Sequence, residues 1–373
     1  MGQRPRWLPT AAEERVRTRH GQLLTSERTR MRHSAPGDIV DAAITVTPQV
    51  GRNPSQFRAL GLHRALLAPI ILLGVTLVVF IVVDLSPNDP ATAELGVMAD
   101  DEARQRFIDE HGLDEPLLVR FGHFLVNLVH LELGESVTRP ESVNELIARA
   151  LPVSLQLMTT AVFMSVVFSL ALGILAAWKE GKTIDQVISA VIAILQASPS
   201  FWIGLLFVQL FAVSLGLLPA SGYTPLSSGI QSWYGSMIGP AIVLAIPITA
   251  ALTRVLRASI ADELAKDYVR TAIGNGVGWV MVLSRNVLRN ALIAPVTVLG
   301  LVIGDLIAGA ILVEVVFNLP GMGTLLVAGV NQGDLGVVRG VALVGAIGFI
   351  AVNLLVDLIY LVLNPRSVNG VSK

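Results

Sequence analysis

The sequence contains no cysteine, so no disulfide can staple it and no thiolate can serve as a nucleophile or metal ligand. Histidine is scarce and confined to the first 130 residues, at His20, His33, His63, His111, His123 and His130. A serine such as Ser221 therefore has no histidine base in the second half of the chain. We expect His123 and His130 to be solvated, because no third metal ligand accompanies them. These absences argue against a hydrolase and a metal site.

Charge is missing from several long runs, which marks a membrane protein rather than a soluble domain. The chain has 373 residues, of which 53% are hydrophobic and 15% charged, and its mean hydropathy is +0.66. Asp305 is the only charge in the last two of the apolar runs, which cover residues 66–83, 153–178, 186–253, 290–313 and 340–356. The 68-residue run 186–253 is long enough for two spans of about 20 residues each. The sequence predicts an all-α polytopic protein with six transmembrane helices.

A phosphate-binding loop is also absent. Gly181-Lys182-Thr183 matches the end of such a loop, but the glycine required five residues earlier is Ala176, and an apolar span precedes it. We therefore expect no nucleotide, cofactor or metal in this chain, and any ATP and Mg²⁺ would be bound by another subunit.

The basic residues are distributed asymmetrically about the predicted spans. Of the 27 lysines and arginines, 21 lie in the segment before the first span, in the second-to-third and fourth-to-fifth connections, and after the last span. The other side holds six, Arg339 included. The positive-inside rule places both termini and the fourth-to-fifth connection in the cytoplasm.

These features divide the chain into parts. Residues 1–60 are rich in arginine and poor in aromatics, and we expect a disordered basic tail. That tail is either idle, an extension before a later start such as Met31, or a contact for anionic lipid. Residues 61–366 form the membrane domain, with an extracytoplasmic insertion at 86–150 and a cytoplasmic loop at 254–290, and residues 367–373 form a second tail.

The loop 254–290 carries the most informative motif. Read as one helix, it places Ile260, Leu264, Tyr268 and Ala272 on one face at i, i+4 spacing. Asp262, Glu263, Lys266 and Arg270 then face away, and the glycines at 274, 276 and 278 end the helix. A short amphipathic helix between spans is suited to docking into a groove on a soluble partner.

The amino-acid sequence of this loop is more specific than its hydrophobic periodicity. Asp-Tyr-Val-Arg-Thr-Ala at 267–272, Gly276, and then Leu-Arg-Asn-Ala-Leu at 288–292 before Pro295 resemble the EAA loop of ABC importer permeases. The resemblance is to the first permease subunit of the dipeptide/oligopeptide/nickel type and runs from about residue 58 to residue 366. Departures include Asn88, where the family has glycine, and residues 273–275.

The resemblance implies an ABC importer type I permease fold and a multi-pass protein of a bacterial or archaeal inner membrane. It implies four kinds of partner: a homologous second permease, two ATPase subunits, an extracytoplasmic binding protein and membrane lipid, with no nucleic acid. It implies that the loop docks on the ATPase through a set of residues named here as Leu264, Asp267, Tyr268, Val269, Arg270, Thr271, Ala272 and Gly276. Peptides are the expected cargo, with nickel, glutathione or oligosaccharide as alternatives.

Three further groups of residues are candidates for the path and its mouth. Ser198 and Pro199 interrupt the third span. Asp305 lies inside the fifth span and either faces the pore or makes a polar contact between helices. Glu314, Pro320 and Gly321 are expected at the external mouth. The rival class is a stand-alone secondary transporter or channel, which would favour inverted repeats and paired intramembrane charges that the sequence does not display.

Overall fold

The computed structural model describes residues 69–82, 90–96, 98–110 and 112–363. The predicted tails, 1–60 and 367–373, lie outside the described residues. Within the described part the chain is helical, and its only β-type pairing is an isolated bridge between Glu135 and Ser142. The principal helices, in chain order, are α1 Pro69–Val82, α2 Pro90–Leu95, α3 Asp101–Glu110, α4 Leu117–Val129, α5 Val143–Trp178, α6 Thr183–Ala197, α7 Ser200–Phe207, α8 Ile230–Leu264, α9 Asp267–Gly274, α10 Trp279–Met281, α11 Leu288–Ala291, α12 Ile293–Phe317, α13 Met322–Gln332 and α14 Leu335–Leu363.

Four of these helices, α5, α8, α12 and α14, are long and apolar enough to cross a membrane. A fifth span is possible if α6 and α7, with the π-helical turn Val208–Ser214 that continues α7, count as one span bent by 107°. The predicted first span is represented by α1, whose 14 described residues fall short of a span. Six spans therefore remain a prediction, because residues 61–68 and 83–89 on either side of α1 are not described.

The core forms where α8 packs against α5, α12 and α7. Small residues on α5 recur every four positions, so the two backbones approach closely. These buried residues are Ala161, Ser165, Ser169 and Gly173. The Ser165 hydroxyl donates to the carbonyl of Ala245 at 3.1 Å, and a Cβ added at Gly173 would lie 2.8 Å from the Leu256 Cβ. The α5–α8 pair is thus the closely packed centre of the bundle.

One end of the bundle, which we call the insertion end, is fastened by Asp334. This carboxylate precedes α14, caps it by accepting from the Val337 backbone N–H at 3.1 Å, and is 1% exposed. It also accepts from the hydroxyls of Ser136 and Thr138 in the segment before α5. Helix α14 therefore begins five residues before the charge-free run suggested, and its start is tied to the 86–150 insertion.

The opposite end, which we call the motif end, is fastened by Asp185 and Arg257. The guanidinium of Arg257 on α8 donates to both carboxylate oxygens of Asp185 on α6, at 2.5 and 2.7 Å. The backbone N–H of Gly181, which has φ of +73°, donates to the same carboxylate at 3.0 Å. Gly181, which resembles part of a phosphate-binding loop in sequence, therefore forms a turn whose N–H supports the first turn of α6.

Candidate coupling surface and translocation path

The loop at the motif end is broken where the sequence predicted one continuous helix. Helix α8 ends at Leu264, Lys266 adopts an extended conformation, and α9 begins at Asp267. The single-helix prediction is wrong in this respect, although Ile260, Leu264, Tyr268 and Ala272 still line one apolar cluster. The break lets α9 change direction while its apolar side stays on the bundle.

Glu263 holds this break together. Its side chain was predicted to face solvent, but the residue is 6% exposed. The Tyr268 hydroxyl donates to Oε1 at 2.7 Å, Asn290 Nδ2 donates to the same oxygen at 2.9 Å, and Lys266 Nζ donates to Oε2. A carboxylate leaves water only when donors such as these replace its hydration. Glu263 thus joins the end of α8 to α9 and to the segment before α12, an arrangement we call the Glu263 clasp.

The clasp also affects the groups around it. The hydrogen bond to Glu263 raises the pKa of Lys266 above its ordinary value. Burial, reinforced by the hydrogen bond to Glu263, raises the pKa of the Tyr268 phenol. Both groups therefore stay protonated as donors near neutral pH.

Helix α9 presents its apolar side to the protein itself. Val269 is 2% exposed and packs with Ile260 and Val282, while Tyr268 and Ala272 are half-buried beside it. This corrects the expectation that the apolar face of the loop helix is the one open to a partner. The residues open to a partner form what we call the outward face of α9: Asp267, Arg270, Thr271, Ile273 and Gly274.

The loop helix ends among the glycines, as predicted. Helix α9 stops at Gly274, and Gly276 follows with φ of +82°. No heavy atom lies within 4 Å of the position that a Cβ would occupy there, so only the left-handed backbone favours glycine.

The predicted mouth residues come together at the insertion end. Glu314 on α12 is 1% exposed and accepts from the Ser154 hydroxyl at 2.6 Å and the Gly323 backbone N–H at 2.7 Å. Gly323 lies in the first turn of α13, so the carboxylate caps that helix and ties it to α5. A Cβ added at Gly321 would lie 2.4 Å from the Glu314 Cδ, while Pro320 is exposed. Glycine at 321 is what lets the turn close over the acid.

Ser198 and Pro199 lie at the bend between α6 and α7. Pro199 adopts an extended conformation just before α7, and the Ser198 hydroxyl donates to the Ile194 carbonyl at 2.9 Å. The interruption predicted from Pro199 is thus present. The bend of 107° between α6 and α7 shows that these two helices do not form one straight span.

Asp305 lies on an exposed strip of α12. The strip repeats at intervals of three or four residues and comprises Leu301, Asp305, Ala308, Leu312 and Val315. Other sides of α12 are covered: Gly300 and Gly304 abut Val356 and Phe349 of α14. Among the described residues no hydrogen bond or ion pair reaches the Asp305 carboxylate, so the polar helix contact considered for it is not made within this part of the chain.

These features define a polytopic, helical membrane protein in the part of the chain that the structure describes. The chain belongs to the family described as "Binding-protein-dependent transport system inner membrane component", which matches residues 169–369. The N-terminal membrane component of the same transport systems matches residues 57–158.

Three relatives are similar over most of their length. A protein of Brucella suis biovar 1 (strain 1330), whose name describes a peptide transport system permease, is 36% identical over 83% of this chain and 98% of its own. The oligopeptide transport system permease protein AppB of Bacillus subtilis (strain 168) is 34% identical over 82% and 98%. The glutathione transport system permease protein GsiC of Escherichia coli O6:H1 (strain CFT073) is 38% identical over 78% and 92%.

Proposed function

We propose that this chain is one of two homologous permease subunits in an ATP-driven importer, and that it forms half of the path for peptides. An extracytoplasmic binding protein delivers the cargo at the insertion end, and two ATPase subunits act at the motif end. ATP and Mg²⁺ bind to those ATPase subunits. The names of the relatives support peptides as cargo, and the glutathione relative extends the class to a modified tripeptide.

The observation that carries this proposal is the outward face of α9. It is the exposed side of a short helix that the Glu263 clasp fixes to the end of α8 and to the short helix α11, which leads into α12. A helix held this firmly transmits a push from a partner to α8 and α12 instead of absorbing it, as alternating access requires. Its polar character fits a docking surface that is exposed to water before assembly.

The orientation follows from charge. The motif end carries Lys179, Arg254, Arg257, Arg285 and Arg289, so we place it and both termini in the cytoplasm. The 86–150 insertion and α13 then lie outside the membrane, where a binding protein is available. The hydrogen bonds of Glu314 and Asp334 stabilise that outer surface.

The Asp305 strip is our candidate for the lining of the path. A carboxylate facing hydrocarbon is costly. Because Asp305 has no partner among the described residues, we place it against water or another subunit. There it attracts a cationic group such as the amino terminus of a peptide. Ser198 and Pro199, at the bend between α6 and α7, are further candidates for this path.

Reconstitution in proteoliposomes tests the function. The four transport subunits together, with the binding protein, are expected to take up peptide when ATP is supplied, and omission of this chain is expected to abolish uptake. Uptake by this chain alone, driven by an ion gradient and without ATPase subunits, would instead establish the secondary-transporter class.

A further inference from the structure

We propose that the motif end carries a binding site for an anionic phospholipid, built from the segment Gly278–Arg289. An open groove of about 680 Å³ runs along this segment. Its lining combines apolar and cationic groups: Gly278, Trp279, Val280, Met281, Ser284 and Arg285. No acid is among the lining residues.

A π-helical turn creates this groove. Val282 and Val287 stand five residues apart at the two ends of the turn, and both are fully buried in the cluster with Val269. Because the turn accommodates the extra residue, both valines point inward, and Met281, Ser284 and Arg285 are left on the opposite side. The exposed fractions are 76% for Val280 and 55% for Met281.

The groove lies at the level where the neighbouring span ends. Ala177 is the penultimate residue of α5 and packs in the same buried cluster as Val282 and Val287. The next residue, Trp178, is 57% exposed, with the Lys179 ammonium 4.3 Å from the centroid of its ring. Exposed tryptophan beside a basic residue at the end of a span marks the membrane–water interface. Trp279 and Arg285 therefore lie at headgroup depth.

The chemistry of the groove fits one occupant. Trp279, Val280 and Met281 offer apolar surface to the upper acyl chains, and Ser284 and Arg285 offer donors to a phosphate. Within the described residues Arg285 has no acidic partner, and Arg289 extends the cationic surface one turn farther along. Basic side chains at this depth favour anionic headgroups over zwitterionic ones. The site is independent of which cargo or motor the protein uses.

Fluorescence quenching in nanodiscs tests the site. Brominated phosphatidylglycerol or brominated phosphatidylcholine is included at the same minor share in a phosphatidylcholine bilayer holding the full chain. The quenching of Trp279 is taken as the difference between wild type and Trp279→Phe. Brominated phosphatidylglycerol is expected to quench Trp279 more strongly than its zwitterionic counterpart. Removing one basic group is expected to reduce this preference about fivefold, so Arg285→Gln should lose most of it.

Two matched variants separate the site from general electrostatics. Arg285→Lys keeps the charge and should keep the preference, and Arg254→Gln removes another exposed arginine, outside the groove, and should not change it. Equal quenching by both lipids, or equal effects of Arg254→Gln and Arg285→Gln, would overturn the proposal. So would a Trp279 that no brominated lipid quenches, because the groove would then belong to a protein partner. Loss of the preference on adding inorganic phosphate would assign the site to the free anion instead.

Discussion

The Tyr268 hydroxyl donates a hydrogen bond of 2.7 Å to Glu263, across the break that separates α8 from α9. The aromatic residue that the sequence offered as an anchor for a partner therefore anchors the loop to its own bundle. Because of this hydrogen bond α9 moves together with α8, and the proposed coupling to the ATPase requires that rigid connection.

Loss of the clasp is expected to loosen α9. Glu263→Ala removes the acceptor for Tyr268, Lys266 and Asn290, and a hydrogen bond to a charged group is worth about 1.5–3 kcal/mol. Backbone amides of residues 265–278 should exchange with deuterium at least about tenfold faster, which corresponds to about 1.4 kcal/mol. Asp262→Ala, at the exposed neighbouring acid, is the control and should leave exchange unchanged. Equal protection in both variants would mean that packing alone holds α9.

The close turn at the insertion end is expected to tolerate no side chain at position 321. Gly321→Ala places a Cβ 2.4 Å from the Glu314 carboxyl carbon, so either α13 or the buried acid must move. We expect overpacking to cost about 1–3 kcal/mol and to lower the thermal midpoint in detergent. Gly345→Ala is the matched control, since nothing lies within 4 Å of its added methyl. Identical midpoints for the two variants would contradict the described turn.

Asp305→Asn separates a path residue from a structural one. Because its carboxylate has no partner among the described residues, the substitution should change stability by no more than about 0.5 kcal/mol. Uptake of peptides with a free amino terminus should fall, whereas uptake of the same peptides after acetylation should not. A large loss of stability with proportionate losses for both cargoes would place Asp305 in a contact between subunits.

Topology is open to a direct test because the chain has no native cysteine. Single cysteines at Asp267 and at Glu115, both with exposed side chains, should react with an impermeant maleimide from opposite sides of the membrane. Position 267 should react only from the cytoplasmic side. Reaction of both positions from the same side would overturn the arrangement of the spans between them.

Features that repeat along the chain, or that depend only on neighbouring residues, could be predicted from the sequence. Apolar runs predicted the long helices, Pro199 predicted the interruption between α6 and α7, and the glycines from residue 274 onward predicted the end of the loop helix. The buried acids could not be foreseen from local sequence. Asp185 lies 72 residues from Arg257, Glu263 lies 27 from Asn290, and Asp334 lies 198 from Ser136. An acid near the end of a span resembles an exposed residue until its distant donors are known.

The break after Leu264 was missed for a related reason. The i, i+4 spacing of Ile260, Leu264, Tyr268 and Ala272 suits one straight helix, and no proline or glycine interrupts it. Lys266 nevertheless adopts an extended conformation, and the Glu263 clasp together with the burial of Val269 offsets the cost of breaking the helix. Tertiary contacts therefore decided the local geometry and turned the apolar face of the loop inward.

The central claim is that the outward face of α9 docks on the ATPase. The most direct measurement is copurification of the ATPase with Thr271→Trp, which adds bulk to that face, compared with Glu102→Trp at an exposed residue of α3, which is not part of that face. We expect Thr271→Trp to reduce copurifying ATPase by about tenfold or more, equivalent to about 1.4 kcal/mol, with an unchanged thermal midpoint. Glu102→Trp should retain the wild-type amount. Full retention of the ATPase by Thr271→Trp would contradict the claim that this face is the contact with the motor.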